Sequence, residues 1–300
     1  MKVGFIGTGS MGRPMLRNLV TKGFPVVAYD VRPAALEEAT RLGATPAASA
    51  ATAAAEGDLL ITMLPSASHV ESAYLGPRGV LEGIAPGRLC VDMSTIDPAT
   101  SRRVAARLRE RGVRFIDAPV SGGVGGAEDG TLAIMVGGDP GDLEEAGPAL
   151  RAMGKHIVHV GAVGAGEVAK LCNNLIAGVV TVAVSEAFRI AEGFGVDARV
   201  LTEIISNSSG RTWIMEHGHP VPGIVPRAAS SRDYAPGFTV DLMCKDLGLA
   251  VNAARELRVP VAVSSAAQQV LRMASSQGYG KKDVASVYAF LKASSVDAPV

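Results

Sequence analysis

The sequence predicts an α/β protein with two domains: an N-terminal domain built on a mainly parallel sheet, and an all-α C-terminal domain. Three observations indicate this. A glycine-rich turn follows the first apolar run, strand and helix patterns alternate through the first half of the chain, and only helical patterns follow residues 161–166. Alternating strands and helices are typical of βαβ units. We place the domains at residues 1–163 and 164–300.

The first predicted strand, Val3-Gly4-Phe5-Ile6, ends in the turn Gly7-Thr8-Gly9-Ser10-Met11-Gly12, and a helical pattern follows. In such a turn the first glycine permits the bend, the second lets the backbone approach a pyrophosphate, and the third lets the helix pack closely. The helix N-terminus offers N–H groups to phosphates. The order predicts a Rossmann domain that binds a dinucleotide; a purely structural turn is the alternative.

The second predicted strand ends at an acid, Asp30, about twenty residues after the turn, where a carboxylate accepts hydrogen bonds from a ribose diol. We expect Asp30, Val31 and Arg32 to contact this part of the cofactor. The carboxylate repels a 2′-phosphate, so NAD is the expected cofactor. Arg32 can pair with that phosphate, which keeps NADP as an alternative.

Five further apolar runs predict strands, at residues 59–64, 89–93, 114–117, 132–136 and 156–160. Helices are expected at residues 47–55, with Ser49 as N-cap, and at residues 103–111. Ligands bind beyond the carboxyl ends of the strands in open α/β sheets. Leu64, Pro65 and Thr95 are expected there, although ordinary strand-ending turns give the same pattern.

The pattern of the second half is helical throughout. A helix from Glu167 to about Phe194 has roughly 45 Å of length and is expected to join the two domains. Further helices are expected at residues 200–207, 240–255, 261–277 and 282–293. Apolar residues at positions 175–180 cover nearly every side of the long helix, which indicates burial all round. We therefore expect a homodimer or homotetramer formed through the helical half.

Composition excludes several classes of partner. The formal net charge is zero, which gives no drive toward nucleic acid or an anionic membrane. The longest apolar stretch, residues 175–184, is too short to span a bilayer. The three cysteines lack zinc spacing and no secretory signal is visible, so reduced thiols in the cytoplasm are expected. The pair His217 and His219 has no carboxylate or cysteine at useful spacing, so no metal site is expected.

Two clusters can carry chemistry. Lys170, Asn173 and Asn174 stand at helical spacing i, i+3 and i+4 and share a face. A lysine whose pKa is lowered by burial can act as general acid or base near neutral pH; a surface lysine is the alternative. The stretch 117–126 follows a strand and places four glycines around Ser121, where backbone N–H groups can bind a carboxylate. A flexible hairpin loop explains that stretch equally well.

Four motifs in this order resemble the β-hydroxyacid dehydrogenase family over essentially the whole chain. They are Phe5-Ile6-Gly7-Thr8-Gly9-Ser10-Met11-Gly12, Asp117-Ala118-Pro119-Val120-Ser121-Gly122-Gly123, Gly164-Ala165-Gly166-Glu167-Val168-Ala169-Lys170-Leu171-Cys172-Asn173-Asn174 and Lys245-Asp246-Leu247. Residues 226–238 are similar to the branch of the family that oxidises an intermediate of valine breakdown. The nearest alternatives are semialdehyde reductases of the same family, acting on tartronate or succinic semialdehyde or on glyoxylate; an imine reductase or a non-catalytic binding module is less favoured, because Lys170 and Asn174 are intact.

The resemblance implies a role for each candidate residue. Lys170 is the implied catalytic acid/base, and Asn174 positions the substrate beside it. The implied substrate contacts are Ser121, Gly122 and Gly123 at the carboxylate, with Trp213 and Phe238 as walls around a methyl group. Thr95 and Lys245 are implied to contact the nicotinamide end. The chain departs from the family at Thr8, often leucine, and at His69, often asparagine, in the region of the Leu64–Pro65 turn that contacts the cofactor.

Overall fold

The computed structural model of the protein describes residues 1–294. The chain forms two compact units, Met1–Lys170 and Leu171–Val300. The boundary lies inside a long helix, whereas the sequence placed it before that helix, between residues 163 and 164.

Within the described residues, the first unit contains one nine-stranded sheet. Its strands are β1 (Val3–Ile6), β2 (Val26–Tyr29), β3 (Thr45–Pro46), β4 (Leu59–Thr62), β5 (Leu89–Asp92), β6 (Arg114–Asp117), β7 (Val120–Ser121), β8 (Leu132–Gly137) and β9 (Gly154–Gly161). The strand order is β3-β2-β1-β4-β5-β6-β8-β7, and β9 pairs with β8. The pairs among β1 to β6 and the pair β8/β9 are parallel, while β8 runs antiparallel to β6 and β7. The mainly parallel sheet is thus confirmed.

Helices pack on both faces of this sheet. They are α1 (Gly12–Thr21), α2 (Pro33–Arg41), α3 (Ala50–Glu56), α4 (Ala67–Leu75), α5 (Val80–Gly83), α6 (Pro98–Arg109), α7 (Gly123–Asp129) and α8 (Pro140–Met153). Successive side chains of a strand point to opposite faces, and β4 shows the result. Leu59 and Ile61 belong to one apolar core, and Leu60 belongs to the other. The predicted N-cap of α3 is confirmed, because the Ser49 hydroxyl accepts a hydrogen bond from the Thr52 N–H.

The described part of the second unit is helical, as predicted. Its helices are α9 (Ala165–Gly193), which begins in the first unit, α10 (Ala198–Ser206), α11 (Trp213–His217), α12 (Val240–Glu256), α13 (Ala262–Ala274) and α14 (Val287–Ser294). Short 3₁₀ helices lie at Ala229–Arg232 and Val284–Ser286. The predicted helix over residues 261–277 ends earlier, because a π-type turn at Ser275–Tyr279 interrupts it.

The long helix α9 has 29 residues and is long and apolar enough to cross a membrane, by length and composition alone. The apolar stretch that the sequence indicated, at residues 175–184, is too short to do so. The side chains of α9 nevertheless pack within the helical unit. Val182 contributes to a core with α12, α13 and α14, and Phe188 contributes to a second core with α11. The predicted burial on all sides is not seen within the single chain, since Ile176 is 62% exposed.

Candidate active site

The carboxyl ends of five parallel strands meet at one edge of the sheet. Ile6 is in register with Tyr29 and with Thr62, Thr62 with Asp92, and Asp92 with Asp117. The segments that leave these strands therefore emerge side by side. This is the edge at which open α/β sheets bind their ligands.

The glycine turn after β1 is built as its sequence requires. Gly7 has φ of +94°, and a Cβ there would lie 2.3 Å from the Met63 carbonyl oxygen. A Cβ on Gly12, the first residue of α1, would lie 1.9 Å from the Gly7 carbonyl oxygen. At Gly9 the nearest atom to a Cβ is an Arg32 guanidinium nitrogen at 3.3 Å. The backbone at Gly9 is therefore open toward a pyrophosphate, and the turn fits a dinucleotide.

Asp30 follows β2 and is buried beside this turn. Its carboxylate accepts hydrogen bonds from the Thr8 N–H (2.8 Å) and the Arg32 N–H (2.9 Å), and it pairs with the Arg32 guanidinium (3.2 Å). Burial raises the pKa of the Asp30 carboxyl, but the hydrogen bonds from Arg32 and Thr8 outweigh it and hold this pKa below its usual value. The side chain is thus a carboxylate at neutral pH. Val31 is exposed next to it.

Thr8 contributes a side-chain contact that the leucine often found in the family would lack. Its buried hydroxyl lies 3.1 Å from the Ala35 carbonyl oxygen and 3.3 Å from Asp30 Oδ2. It links the glycine turn to the start of α2. Ser10 and Met11 occupy the turn between Gly9 and Gly12, with Ser10 exposed and Met11 half-buried.

A buried network joins the turns after β4 and β5. Asp92 Oδ1 accepts hydrogen bonds from the Thr62 hydroxyl (2.7 Å) and the Ser94 hydroxyl (2.5 Å), and the Ser94 hydroxyl accepts one from the Leu64 N–H (2.9 Å). The Tyr74 hydroxyl lies 3.0 Å from the Thr62 hydroxyl. Burial raises the pKa of the Asp92 carboxyl. Ser94 thus links the predicted cofactor segments at Leu64–Pro65 and Thr95, although sequence reasoning assigned this serine no role of its own.

The remaining residue of the β4 turn region, His69, lies on α4 and is exposed. Its Nδ1 lies 2.7 Å from the Ser66 hydroxyl. Its predicted contact with the cofactor stays a prediction.

The predicted carboxylate-binding stretch forms a short turn between a strand and a helix. Ser121 ends β7, and α7 begins two residues later at Gly123. Gly122 and Gly123 have φ of +133° and +62°, which non-glycine residues rarely adopt. Ser121 and Gly123 are half-buried and Gly122 is exposed. Backbone N–H groups and one hydroxyl are therefore presented from a short strand-to-helix turn rather than from a flexible hairpin.

The predicted catalytic pair lies on α9. Lys170 is 6% exposed and closes the first unit, and Asn174, one helical turn later, is 4% exposed and belongs to the second. The alternative, that Lys170 is a surface lysine, is wrong. Asn173 is exposed, so it does not share the burial of the pair, although its Nδ2 donates to Asn174 Oδ1 at 3.0 Å.

A buried carboxylate on α12 fixes the amide of this pair. Asn174 Nδ2 donates to Asp246 Oδ2 at 2.5 Å, and the Lys245 ammonium lies 3.1 Å from Asp246 Oδ1. Sequence reasoning took Lys245 as a site residue and missed Asp246. The position of Asp246 directly after Lys245 was the one signal for it in the sequence. Its contact with Asn174 spans 72 positions along the chain, so the sequence does not show that contact.

The two predicted pocket walls lie in different surroundings within the second unit. The Trp213 ring is 64% exposed and stacks on His217, with ring centroids 4.8 Å apart. Phe238 packs against the core that α12 and α13 share. His219 is buried; its Nδ1 accepts the Val221 N–H and its Nε2 lies 3.0 Å from the Thr202 hydroxyl. Burial lowers the pKa of His219 to about 4, so both ring nitrogens of this neutral side chain serve the local packing.

A parallel sheet covered on both faces, a glycine turn at its carboxyl edge and an acid after the second strand define a dinucleotide-binding Rossmann protein. Residues 2–161 match a family model described as the NAD binding domain of 6-phosphogluconate dehydrogenase. Residues 164–291 match one described as the NAD-binding of NADP-dependent 3-hydroxyisobutyrate dehydrogenase. The matched domains and relatives support NAD as the cofactor, with NADP as an alternative.

Individual relatives agree with these matches. The chain is 42% identical over 290 residues to a mouse protein named 3-hydroxyisobutyrate dehydrogenase, mitochondrial, covering 97% of this chain and 87% of the mouse protein. It is 43% identical to an NAD-dependent L-serine dehydrogenase of Pseudomonas aeruginosa, covering 95% and 96%. A solved structure of Mycobacterium tuberculosis 3-hydroxyisobutyrate dehydrogenase with L-serine has a TM-score of 0.91 and 39% identity, covering 97% and 99%. The chain belongs to the β-hydroxyacid dehydrogenase family.

Proposed function

We propose that this enzyme oxidises 3-hydroxyisobutyrate to methylmalonate semialdehyde with NAD, as a step of valine degradation. Lys170 and Asn174, both buried and one turn apart on α9, are its main support. The relatives named as 3-hydroxyisobutyrate dehydrogenases support the choice of substrate. Asp30 supports the preference for NAD, because its carboxylate repels a 2′-phosphate.

The residues predicted to contact the polar groups of the substrate each have a task in this reaction. Bound NAD would supply the acceptor for the hydride of the substrate's carbinol carbon. Ser121, Gly122 and Gly123 hold the substrate carboxylate through a hydroxyl and backbone N–H groups. Lys170 takes the proton of the hydroxyl group, and Asn174, whose amide is oriented by Asp246, positions the substrate.

The decisive measurement is kcat/KM for a panel of acids with NAD and with NADP. We expect 3-hydroxyisobutyrate to be the best substrate. An apolar pocket distinguishes one methyl group by only about 10–200-fold, so 3-hydroxypropionate should react more slowly rather than fail. A tenfold advantage for the reduction of tartronate semialdehyde would contradict the choice of substrate.

L-serine is the second candidate, because a relative of 43% identity is named for that activity and a structural relative was solved with L-serine. Its ammonium group needs an acceptor or a negative charge. None of the side chains predicted to contact substrate is acidic, and Asp246 already pairs with Lys245. We therefore expect a lower kcat/KM for L-serine than for 3-hydroxyisobutyrate, and the reverse order would assign the serine activity.

Replacing the general base tests the mechanism. Lys170→Ala is expected to lower kcat by about 10² to 10⁴-fold, the range typical of general acid–base catalysis. The dissociation constant for NADH, measured by fluorescence titration, should stay within threefold of wild type. Turnover within threefold of wild type would refute the assignment of Lys170.

We also propose a homodimer formed through the helical unit, with a homotetramer as the larger alternative. Helix α10 packs Leu201 and Ile205 against a core of its own unit, yet Val200 and Ile204 on the same helix are 52% and 55% exposed. A second copy of the chain would cover this face. Light scattering at micromolar concentration should give at least twice the mass of one chain, and a monomer mass would refute this.

A cytoplasmic location is proposed on the three free cysteines, and cell fractionation tests it.

A further inference from the structure

The first turn of α9 is anchored by a buried carboxyl group at the end of β6. Asp117 Oδ1 accepts a hydrogen bond from the Gly164 N–H at 2.6 Å, and Oδ2 accepts one from the Glu167 N–H at 2.9 Å. Helix starts leave four N–H groups without partners inside the helix. Asp117 satisfies N–H groups of this helix start, so the start of α9 is fixed to the sheet edge three residues before Lys170.

Glu167 adds a second link from the same turn. Its side chain is fully buried, and its Oε2 accepts a hydrogen bond from the Ile96 N–H at 3.1 Å. Ile96 is itself fully buried and directly follows Thr95, the residue predicted to contact the nicotinamide end. A buried carboxylate is costly to retain unless it has partners. In this place it joins the segment after β5 to the helix that carries Lys170.

The segment after β5 is in turn joined to the turn after β4. The Ser94 hydroxyl accepts the Leu64 N–H at 2.9 Å, and it donates to Asp92 at 2.5 Å. Two side chains, Ser94 and Glu167, thus connect three pieces of backbone: the Leu64 turn, the Thr95–Ile96 segment and the first turn of α9. All of these residues lie in the first unit.

We propose that Glu167 is a positioning residue for catalysis: its carboxylate fixes the distance between the Thr95–Ile96 segment and Lys170. This inference rests on the proposed role of Lys170 as acid/base. Glu167 stands at i and Lys170 at i+3 of one helix, so a shift of the first turn moves both together. Reacting groups need positions accurate to a fraction of an ångström, and small misplacements reduce the rate strongly.

The variants distinguish the loss of the hydrogen-bond acceptor at Glu167 from the loss of its negative charge. Glu167→Gln keeps an oxygen that can accept the Ile96 N–H. Glu167→Leu removes the acceptor with little change in volume, and Glu167→Asp keeps the charge but withdraws the oxygens by one methylene. Glu186→Leu is the matched control, because Glu186 is an exposed glutamate on the same helix.

Three quantities are measured for each variant. With the best acid of the substrate panel we measure kcat and the isotope effect on kcat for substrate deuterated at the carbinol carbon. The third quantity is the rate of hydrogen exchange at the Ile96 amide, measured without cofactor. We expect Glu167→Leu and Glu167→Asp to lower kcat at least tenfold, to raise the isotope effect and to speed the exchange at Ile96. Glu167→Gln and Glu186→Leu should stay within threefold of wild type in kcat and exchange.

The outcomes that overturn the inference are specific. A kcat within threefold of wild type in Glu167→Leu overturns it, as does a loss in Glu167→Gln equal to that in Glu167→Leu. If Glu167→Leu does not fold, Glu167→Asp decides by the same criterion. An inactive wild type, or a fully active Lys170→Ala, overturns the proposed function as well, whereas an active wild type with an unimpaired Glu167→Leu overturns this inference alone.

Discussion

Two alanine substitutions in the glycine turn are expected to have different consequences. At Gly12 an added Cβ lies 1.9 Å from the Gly7 carbonyl oxygen, which is a backbone atom and cannot rotate away. At Gly9 the nearest atom is an Arg32 guanidinium nitrogen at 3.3 Å, at the far end of an exposed side chain. Gly12→Ala therefore strains the fold itself, and Gly9→Ala obstructs only what approaches the turn from outside.

The magnitudes follow from these distances. Overpacking in a tightly packed site costs about 1–3 kcal/mol, and contact with fixed backbone puts Gly12→Ala near the upper value. For a domain of this size the melting temperature changes by about 2–4 °C per kcal/mol, so a fall of roughly 6–12 °C is expected. Gly9→Ala should leave the melting temperature within roughly 2 °C, as surface substitutions do. It should weaken NADH binding at least tenfold, or about 1.4 kcal/mol.

The assay combines a thermal melt without cofactor and a fluorescence titration with NADH for each variant. Gly193→Ala is the control, because no atom lies within 4 Å of a Cβ at Gly193 near the end of α9. It should change neither quantity. The reasoning is refuted if Gly9→Ala binds NADH like wild type, or if Gly12→Ala melts at the wild-type temperature.

Four further substitutions test three buried carboxylates. Burial raises the pKa of Asp117 to about 6 in the folded chain, so the folded state binds the proton more tightly and stability declines as pH rises from about 4 to 6. Urea unfolding should show the stability difference between wild type and Asp117→Asn changing by about 3 kcal/mol over that range, and a flat difference would refute the shift. Asp246→Leu leaves Asn174 Nδ2 without its acceptor and should lower kcat at least tenfold, whereas Asp246→Asn should retain more activity; equal kcat values would count against the role of the acceptor. Asp30→Ala removes charge-assisted hydrogen bonds worth about 1.5–3 kcal/mol, so kcat/KM with NAD should fall about 10–100-fold relative to NADP, and an unchanged ratio would exclude Asp30 as the discriminating residue.

Local patterns predicted the elements that carry the site. The strands β1, β4, β5 and β6 are short apolar runs that end at turn or acidic residues, and α9 is an uninterrupted apolar stretch. Their signals lie within a few neighbouring residues, so the sequence is sufficient. The glycine turn was predictable from its spacing and its place between a strand and a helix, although the carbonyl oxygen that closes off Gly7 belongs to Met63, far along the chain.

The contacts that organise the site were not predictable in this way. Asp117 meets Gly164 across 47 positions, and Asn174 meets Asp246 across 72. In the sequence these carboxylates look like strand-ending or surface acids. Which acid is buried, and which N–H it accepts, depends on the pairing of strands and the packing of α9 on α12. The start of α7 inside a glycine-rich stretch was missed because glycine is a weak helix former.

The position of the boundary between the two units limits how members of this family can exchange parts. It falls between Lys170 and Leu171, inside α9, so Lys170 belongs to one unit and Asn174 to the other. A chimera that joins halves from two relatives at this boundary inherits position 170 from one parent and position 174 from the other. A junction ahead of Ala165 keeps both positions from one parent but takes Glu167 and the Ile96 amide that it binds from different parents. Recombination at either point therefore mixes residues that must match, and substrate range in such proteins is expected to change through substitutions within each unit rather than through exchange of whole domains.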